Sequence, residues 1–381
     1  MLNIQSKLPG VSTTIFSVMS KLAAEYNAIN LSQGFPDYSA DPKLVELVNK
    51  AMKDGFNQYA PMPGNQLLKE TIAQKVKNIY NVKYDPDTEI TVTAGGTQAI
   101  FTALAAIINS GDEVIIFEPA YDCYAPTIRL LGGIVKTYEL APPTYEIDWD
   151  MVKKLFTSST RMIILNSPQN PTGSILSKED MKSLIKLISG TDILILSDEV
   201  YEHLIYDDQK HNSVMLFPEL RERSFIIASF GKLLHATGWK LGYCLAPELL
   251  TKEFRKVHQF NVFSVNSPMQ QAIAQYIQEP SNYNGIGSFF QQKRDYFRSL
   301  LKESRFKLLP CHGSYFQCVS YNDISDEKDT DFSERLIREF GVASIPVSAF
   351  YQKGTDHKII RFCFAKENTT LALAAEKLTN V

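Results

Sequence analysis

Between residues 89 and 247, short runs of β-branched and apolar residues alternate with stretches of helical periodicity. The strand-like runs are EITVTAGG, EVIIFEP, RMIILNSP, DILILSDE and SFIIASFGK, and helix-like segments such as TQAIFTALAAIIN and SKEDMKSLIKLIS lie between them. This alternation requires crossover connections, which produce a mostly parallel sheet covered on both faces. Ligands bind such sheets at the carboxyl ends of the strands. We therefore expect an α/β fold with its functional site at those ends.

The pattern changes after about residue 280. The charged helical segment QQKRDYFRSLLKESR is followed by HGSYFQCVSY, a helix at DFSERLIREFG, and KIIRFCFA, a succession typical of a smaller α+β domain. The first 45 residues are too rich in loop signals to fold alone, and we expect them to pack on the smaller domain or across an interface. We predict a large domain over 46–280 and a small domain built from 1–45 and 281–381.

Composition and charge exclude several classes of protein. The chain has 381 residues, 44% of them hydrophobic, and a net charge of -3, so it lacks the basic excess of a nucleic-acid-binding protein. Its N-terminus, MLNIQSKLPGVSTTIF, lacks a continuous apolar h-region, and the chain contains no apolar run of about 18 residues. We therefore expect no signal peptide, no membrane span and a cytoplasmic location. Its five cysteines are scattered without a CxxC pair, which favours reduced thiols over disulfides or a metal site.

Three of the predicted strands end in residues with usable polar groups. After ITV, the turn TAGGTQ leaves the backbone N–H groups of Gly96, Thr97 and Gln98 free to hold a phosphate, although this stretch taken alone favours an ordinary strand-to-helix turn. The loop NSPQNPTG stiffens the backbone around Asn170, or is a common Asn-Pro turn. Asp198 follows an apolar strand, where a carboxylate needs a partner, and a structural salt bridge or helix cap would also explain it.

A fourth apolar run is followed by a lysine, Lys232, in SFGK. It is either a solvated loop residue or a reactive amine, because an amine near positive charge in a dry site loses its proton and becomes a nucleophile and base. The phosphate cradle, amide, carboxylate and amine together match the needs of pyridoxal phosphate. The sequence lacks the GxGxxG fingerprint of a dinucleotide-binding dehydrogenase.

A series of motifs then connects the chain to a known family. They are, in order, SKLPGVSTTIF, INLSQGFPD, NQYAPMPG, TVTAGGTQA, EPAYDCYAP, NSPQNPTG, SDEVYEHL, SFGK…TGWKLGYC and IRFCFAK. Through them the chain resembles, almost end to end, the class I, fold-type I aminotransferases that depend on pyridoxal phosphate, particularly the methionine and kynurenine (glutamine) aminotransferase branch. The resemblance implies a seven-stranded, mostly parallel sheet, a homodimer with sites at the subunit interface, and ping-pong transfer of an amino group from an amino acid to a 2-oxo acid.

The resemblance also implies roles for individual residues. Lys232 is expected to carry the cofactor and move the Cα proton, with Asp198 as the partner of the pyridine nitrogen. Asn170 and Tyr201 are expected to contact the ring oxygen, and Tyr121 to stack on the ring, although core packing would also explain Tyr121. The expected phosphate ligands are Gly96, Thr97, Gln98, Ser229, Lys240 and Tyr59, the last of which would reach the neighbouring subunit's site or is simply a surface tyrosine.

Two residues depart from the pattern of many relatives. Lys240 stands where many have an arginine, so the phosphate would meet a point charge and not a planar fork. Gly231 stands where many carry a hydroxyl residue directly before the reactive lysine. We expect one phosphate contact to be missing and cofactor affinity to differ.

Substrate binding is expected to depend on Arg361, helped by Asn170 and the backbone at Gly34. An arginine inside the apolar strand KIIRFCFA needs a buried anion, either a substrate α-carboxylate or a protein carboxylate. Aspartate-specific relatives use a second arginine, and the corresponding stretch FNVFSVNSP contains none. An apolar or aromatic substrate side chain is therefore expected, next to aromatic residues that would otherwise be core: Phe16, Phe263, Phe350 and Tyr351.

Two other functions fit parts of this pattern. A cysteine-conjugate β-lyase shares the scaffold and the first proton removal, but it needs no 2-oxo acid acceptor. A non-catalytic aminotransferase-like regulator would carry a DNA-binding module before the fold. The family motifs begin within the first dozen residues and Lys232 is present, which disfavours the regulator.

Overall fold

The computed structural model describes residues 4–381, so the first three residues of the predicted N-terminal segment lie outside the described residues. The chain begins with α1 (Ile15–Glu25), β1 (Ile29–Asn30), α2 (Pro42–Lys53) and α3 (Gln66–Tyr80). It continues with β2 (Ile90–Thr93), α4 (Gly96–Ile107), β3 (Glu113–Glu118), α5 (Tyr124–Leu130), β4 (Ile134–Glu139), α6 (Trp149–Lys153), β5 (Thr160–Asn166), α7 (Lys178–Ile188), β6 (Leu194–Asp198), α8 (Pro218–Arg221), β7 (Ser224–Ser229), α9 (Phe230–Leu233) and β8 (Gly242–Leu245). The remaining elements are α10 (Glu248–Asn261), α11 (Ser267–Tyr276), α12 (Ile286–Leu300), β9 (Lys307–Leu308), β10 (Phe316–Ser320), α13 (Asp329–Phe340), β11 (Val342–Ala343), β12 (Ile345–Pro346), β13 (Ile359–Cys363) and α14 (Asn368–Thr379).

The central strands form a seven-stranded sheet in the order β2-β8-β7-β6-β5-β3-β4. Its strands pair in parallel from β7 to β4, and β8 runs antiparallel to both β2 and β7. Every residue of β2 and β3 is buried, as a sheet covered on both faces requires. The predicted α/β fold with a mostly parallel sheet is confirmed.

Two strands of this sheet had no clear signal in the sequence. β4 is an edge strand whose residues are half-buried or exposed, so its polar residues obscure the pattern. β8 is only four residues long and begins at Gly242. A Cβ at Gly242 would lie 2.6 Å from the carbonyl oxygen of Ala228, so this strand requires a glycine at its start.

A second sheet, of four antiparallel strands in the order β12-β13-β10-β9, lies in the C-terminal part. The N-terminal segment joins this part of the chain because β1 pairs in parallel with β11. The pairing continues beyond β1, where Leu31 N–H donates to Ala343 O (3.1 Å) and Cys363 N–H donates to Leu31 O (2.8 Å). These bonds bring the loop after β1 beside the end of β13.

The helix α10 packs on α4 beside the large sheet. α4 itself begins directly after β2 through two glycines. Gly95 has φ +84°, a conformation that favours glycine, and Gly96 is the first helical residue. This turn leaves the N-terminus of α4 directed at the carboxyl ends of the parallel strands.

Candidate active site

A cavity of about 310 Å³ lies at the carboxyl ends of the parallel strands, between them, the loop after β1 and β13. It collects most of the predicted site residues from separate motifs. Those on its wall are Phe16, Gly34, Gly96, Thr97, Tyr121, Asn170, Asp198, Tyr201, Ser229, Lys232, Lys240 and Arg361.

The amine of Lys232 lies inside this cavity on the short helix α9. Its Nζ donates to the hydroxyl of Tyr315 (2.7 Å) and to the carbonyl oxygen of Gly34 (3.3 Å). Burial lowers the pKa of Lys232 to about 8, and the positive charges of Lys240 and Arg361 act in the same direction. A substantial fraction of this amine is therefore neutral near physiological pH, as a nucleophile or base must be.

The carboxylate of Asp198, at the end of β6, is almost completely buried. Its Oδ2 accepts a hydrogen bond from the hydroxyl of Tyr124 (2.6 Å), and its Oδ1 accepts one from the N–H of Val200 (3.3 Å). Burial raises the pKa of Asp198 to about 6, although both hydrogen bonds oppose the rise. The carboxylate is thus held rigidly in a place that favours a cationic partner.

Positive electrostatic potential concentrates at the N-terminus of α4. The N–H groups of Gly96, Thr97 and Gln98 have no backbone acceptor among residues 4–381. A Cβ placed on Gly95 would lie 3.4 Å from Nζ of Lys240, so this ammonium stands directly beside the helix start. Unpaired N–H groups, the helix dipole and a lysine together form an anion-binding site.

The structure explains Gly231 by close packing. A Cβ at this position would lie 3.0 Å from Cα of Thr237 and 3.3 Å from the carbonyl oxygen of Ala236. A hydroxyl residue here would require the backbone to shift.

Arg361, on β13, has no exposed surface. Its Nη1 donates to Oδ1 of Asn170 (2.6 Å) and its Nη2 to the carbonyl oxygen of Ser32 (2.8 Å), while its guanidinium lies 3.8 Å from the ring centroid of Phe316. Its Nε has no partner, and no carboxylate of residues 4–381 lies within 4.0 Å of its nitrogens. Within residues 4–381, Arg361 therefore forms no salt bridge with a protein carboxylate, and the Asp122 carboxylate acts on it only at longer range.

Several predicted residues are not on the cavity wall. The side chain of Gln98 turns back, where its Oε1 accepts from Ala94 N–H (3.0 Å). Tyr59 and Phe263 pack against each other, with ring centroids 5.3 Å apart, on the outside of the chain, where they are 82% and 49% exposed. In a single chain neither reaches the cavity.

Two aromatic residues predicted for the substrate pocket lie behind the wall. Phe350 is buried against the ring of Phe16, at 5.9 Å between centroids, and against the guanidinium of Arg361 at 5.4 Å. Tyr351 is buried with its hydroxyl donating to Leu140 O (3.2 Å). Neither residue lines the cavity, and Phe350 contacts it only through Phe16 and Arg361, which do.

The sequence interpretation missed four residues around the cavity. Tyr315 contacts the Lys232 amine, Tyr124 contacts Asp198, and Phe316 lies under Arg361. Asn166 links two site loops, because its Nδ2 donates to Asp198 O (3.0 Å) and its Oδ1 accepts from Asn170 N–H (2.9 Å). In the sequence, GSYF is indistinguishable from a core strand, and Tyr124 stands in the quoted motif EPAYDCYAP without a signal of its own.

A buried amine, a buried carboxylate, an anion-binding helix N-terminus and a buried guanidinium in one cavity define an enzyme that acts on the amino group of a carboxylic acid. The chain belongs to the class I and II aminotransferases, whose family model matches residues 26–378. It is an amino acid aminotransferase, and enzymes of its family use pyridoxal phosphate.

Relatives with assigned functions match nearly the whole chain. A methionine aminotransferase from Escherichia coli is 48% identical over 98% of this chain and 97% of its own length. A crystal structure of an Escherichia coli methionine aminotransferase matches with a TM-score of 0.98, covering 100% of both chains at 48% identity. Human kynurenine–oxoglutarate transaminase 1 is 33% identical over 98% of this chain and 96% of its own length. The structure of N-succinyldiaminopimelate aminotransferase from Mycobacterium tuberculosis matches with a TM-score of 0.95 at 33% identity, covering 99% of this chain and 100% of that one.

A search of the helices in residues 4–381 finds none with the length and apolarity needed to cross a membrane.

Proposed function

We propose that this enzyme binds pyridoxal phosphate in the cavity and moves the amino group of an apolar or aromatic L-amino acid to a 2-oxo acid. The donor class comprises methionine, phenylalanine, tyrosine, kynurenine and glutamine. When bound, the cofactor supplies an aldehyde for the amino group and a ring that withdraws electrons from the substrate Cα.

The residues of the cavity fit this cofactor. The anion-binding start of α4, with Ser229 and Lys240, suits its phosphate, and Lys232 suits its aldehyde. The buried carboxylate of Asp198 gains a cationic partner if it meets a pyridinium nitrogen. The Oδ1 of Asn170 is occupied by Arg361, so its Nδ2 remains to donate to the ring oxygen together with Tyr201. Tyr121, whose hydroxyl lies 3.3 Å from Oγ1 of Thr97, is placed for the ring face.

The observation that carries the substrate assignment is the unpaired charge of Arg361. A fully buried guanidinium with two of its nitrogens bound by neutral acceptors has no carboxylate within 4.0 Å in residues 4–381, where Asp122 acts on it only from farther away, and burying such a charge is costly. A substrate carboxylate in the cavity supplies that counter-ion. Arg361 then binds the α-carboxylate and, through Asn170, couples substrate binding to the position of the cofactor ring.

The cavity wall in residues 4–381 offers no spare cation to pair with an acidic substrate side chain. Within residues 4–381, the cavity wall carries Lys232, Lys240 and Arg361 as its lysines and arginines, and each has a role at the amine, phosphate or α-carboxylate. A second substrate carboxylate would be left unpaired. Phe16, Tyr121 and Phe316 instead present aromatic surface, which suits the methionine and kynurenine named for the relatives.

We also propose that the enzyme is a cytoplasmic homodimer. Tyr59 and Phe263 pack together on the outside of the chain, and Phe260, three residues before Phe263, is 86% exposed. These exposed aromatic side chains support burial against a second copy and delivery of Tyr59 to its phosphate site. Five free cysteines, none in a disulfide, favour a reducing compartment. Light scattering of the purified enzyme at a monomer mass would contradict the dimer.

The deciding experiment is a panel of L-amino acids assayed against several 2-oxo acids. We expect kcat/KM for methionine, phenylalanine and kynurenine to exceed that for aspartate and glutamate by at least about tenfold, the factor that 1.4 kcal/mol of unpaired-charge penalty produces. Preference for aspartate would overturn the substrate assignment. Release of ammonia and pyruvate from a cysteine conjugate without any 2-oxo acid, faster than amino transfer, would favour the β-lyase.

A further inference from the structure

The hydroxyl of Tyr315 is the feature of the cavity that the family motifs leave without a role. Tyr315 stands just before β10, is 1% exposed, and places its hydroxyl between two groups of the site. The hydroxyl donates to the carbonyl oxygen of Gly34 and accepts from Nζ of Lys232 at 2.7 Å. The side chain of Tyr201, whose ring packs edge-on against that of Tyr315, also interacts with this hydroxyl.

Burial fixes the protonation of this hydroxyl. Desolvation raises the pKa of Tyr315 well above its ordinary value, so the phenol keeps its proton at every pH at which the enzyme works. Its proton is directed to Gly34, and its lone pair is therefore what meets the amine. The direction of the chain is fixed as Lys232 N–H to Tyr315 O–H to the Gly34 carbonyl.

The same contacts orient the amine. A neutral Nζ has two N–H bonds and one lone pair, and the structure offers two acceptors, Tyr315 at 2.7 Å and Gly34 O at 3.3 Å. With both N–H groups directed at these acceptors, the remaining tetrahedral direction, the lone pair, is left for the cavity. A base with its lone pair held toward the substrate needs no reorganisation before it accepts a proton.

We propose that Tyr315 is a positioning residue of this enzyme, which with the Gly34 carbonyl aims the Lys232 amine at the substrate Cα. The proposal rests on the proposed function. In the proton-removal step the Cα–H bond breaks, its electron pair stays on the substrate, and a new N–H bond forms at Nζ. The resulting ammonium keeps two N–H groups on Tyr315 and Gly34 while the third holds the proton for return.

The matched test compares Tyr315→Phe with Tyr276→Phe. Phenylalanine preserves the ring that packs at 5.1 Å from Tyr201 and 4.9 Å from Phe316 and removes only the hydroxyl. Tyr276 is another buried tyrosine, 4% exposed, whose hydroxyl donates to Asp41 Oδ2 (2.6 Å), away from the cavity, so its variant controls for loss of a phenol hydrogen bond elsewhere in the fold.

For Tyr315→Phe in the holoenzyme we expect kcat/KM for methionine to fall about 10- to 100-fold, the range set by losing one hydrogen bond to a charged group. The isotope effect with α-deuterated methionine should increase because proton removal becomes slower. Tyr276→Phe should match the wild type in both measurements. Wild-type kinetics in Tyr315→Phe would overturn the proposal.

A second readout does not depend on turnover. Methylation of Lys232 with formaldehyde and a borane reductant, followed against pH by peptide mass spectrometry in the full chain without added cofactor, reports the pKa of this amine. Loss of an acceptor for the ammonium should lower the midpoint by about 0.5–1 pH unit in Tyr315→Phe. Slow turnover with an unchanged midpoint would show a merely structural role and overturn the proposal. A wild-type enzyme that transfers no amino group would contradict the proposed function, while the midpoint would still decide the placement of Tyr315.

Discussion

The two ends of the cavity can both bind anions, but they use different hydrogen-bond donors. At the start of α4 the donors are backbone N–H groups, and the adjoining Lys240 is exposed to solvent. At β13 the donor is a buried side chain, Arg361, held by Asn170 and by the carbonyl of Ser32. The first end tolerates solvent and depends on local turn geometry. The second depends on three distant segments and carries its charge in a dry place, where a counter-ion contributes most.

The largest effect is expected at the buried end. Arg361→Met should lower kcat/KM for methionine about 100- to 1,000-fold, because a desolvated, hydrogen-bonded charge pair contributes far more than an exposed one. Cofactor affinity should change little. Arg361→Lys is the matched control and should recover part of the activity, because it keeps the charge without the fork. Unchanged kcat/KM in Arg361→Met would contradict its role at the carboxylate.

At the exposed end, we expect a substitution to weaken binding of the cofactor. Lys240→Met should weaken pyridoxal phosphate binding about 10-fold, as loss of one partly solvated charge-assisted contact does, and excess cofactor should restore kcat. Fluorescence or absorbance titration of the cofactor measures this. Lys240→Arg separates charge from geometry and should bind at least as tightly as the wild type. Equal cofactor affinity in wild type and Lys240→Met would remove Lys240 from the phosphate site.

At the buried end, the free energy of unfolding should change in the opposite direction to activity. In the absence of substrate, Arg361→Met removes a buried charge that has no salt-bridge partner among residues 4–381, so the free energy of unfolding should rise by about 1–2 kcal/mol. Lys240→Met changes an exposed side chain, so its free energy of unfolding should differ from that of the wild type by no more than about 0.5 kcal/mol. Denaturant unfolding of both variants without substrate measures the difference. A less stable Arg361→Met would show that its bonds to Asn170 and Ser32 outweigh the cost of burial.

The same contrast explains how much the sequence could predict. The end at α4 is formed by contiguous residues after a strand, and its motif TAGGTQ predicted the position of the free N–H groups. Lys232, Asp198 and Asn170 also follow strands, and their meeting was predictable because parallel strands end at one edge. Five strands of the large sheet followed from the alternation, whereas the half-exposed β4 and the short β8 did not, and the number of seven strands came from the family resemblance.

What the sequence could not predict depends on contacts between distant segments. Gly34, Tyr315 and Lys232 are far apart in the chain and meet only because β1 pairs with β11 and the second sheet folds against the loop after β1. Phe350 is an aromatic residue of the kind that lines such pockets, but in the fold it packs behind Phe16, which lines the cavity instead. Tyr59 and Phe263 lie exposed, away from the cavity of their own chain, so the roles predicted for them require the second copy that we propose.

The central claim is that Lys232, and not its neighbour Lys240, carries the cofactor. Borohydride reduction of the purified holoenzyme fixes pyridoxal phosphate to the lysine that bears it, and peptide mass spectrometry then identifies that lysine. We expect the added pyridoxyl phosphate mass on the peptide that contains Lys232 and on no other. In Lys232→Ala, both this added mass and amino transfer should be absent. Cofactor mass on Lys240 or on another lysine, or normal amino transfer by Lys232→Ala, would contradict the account.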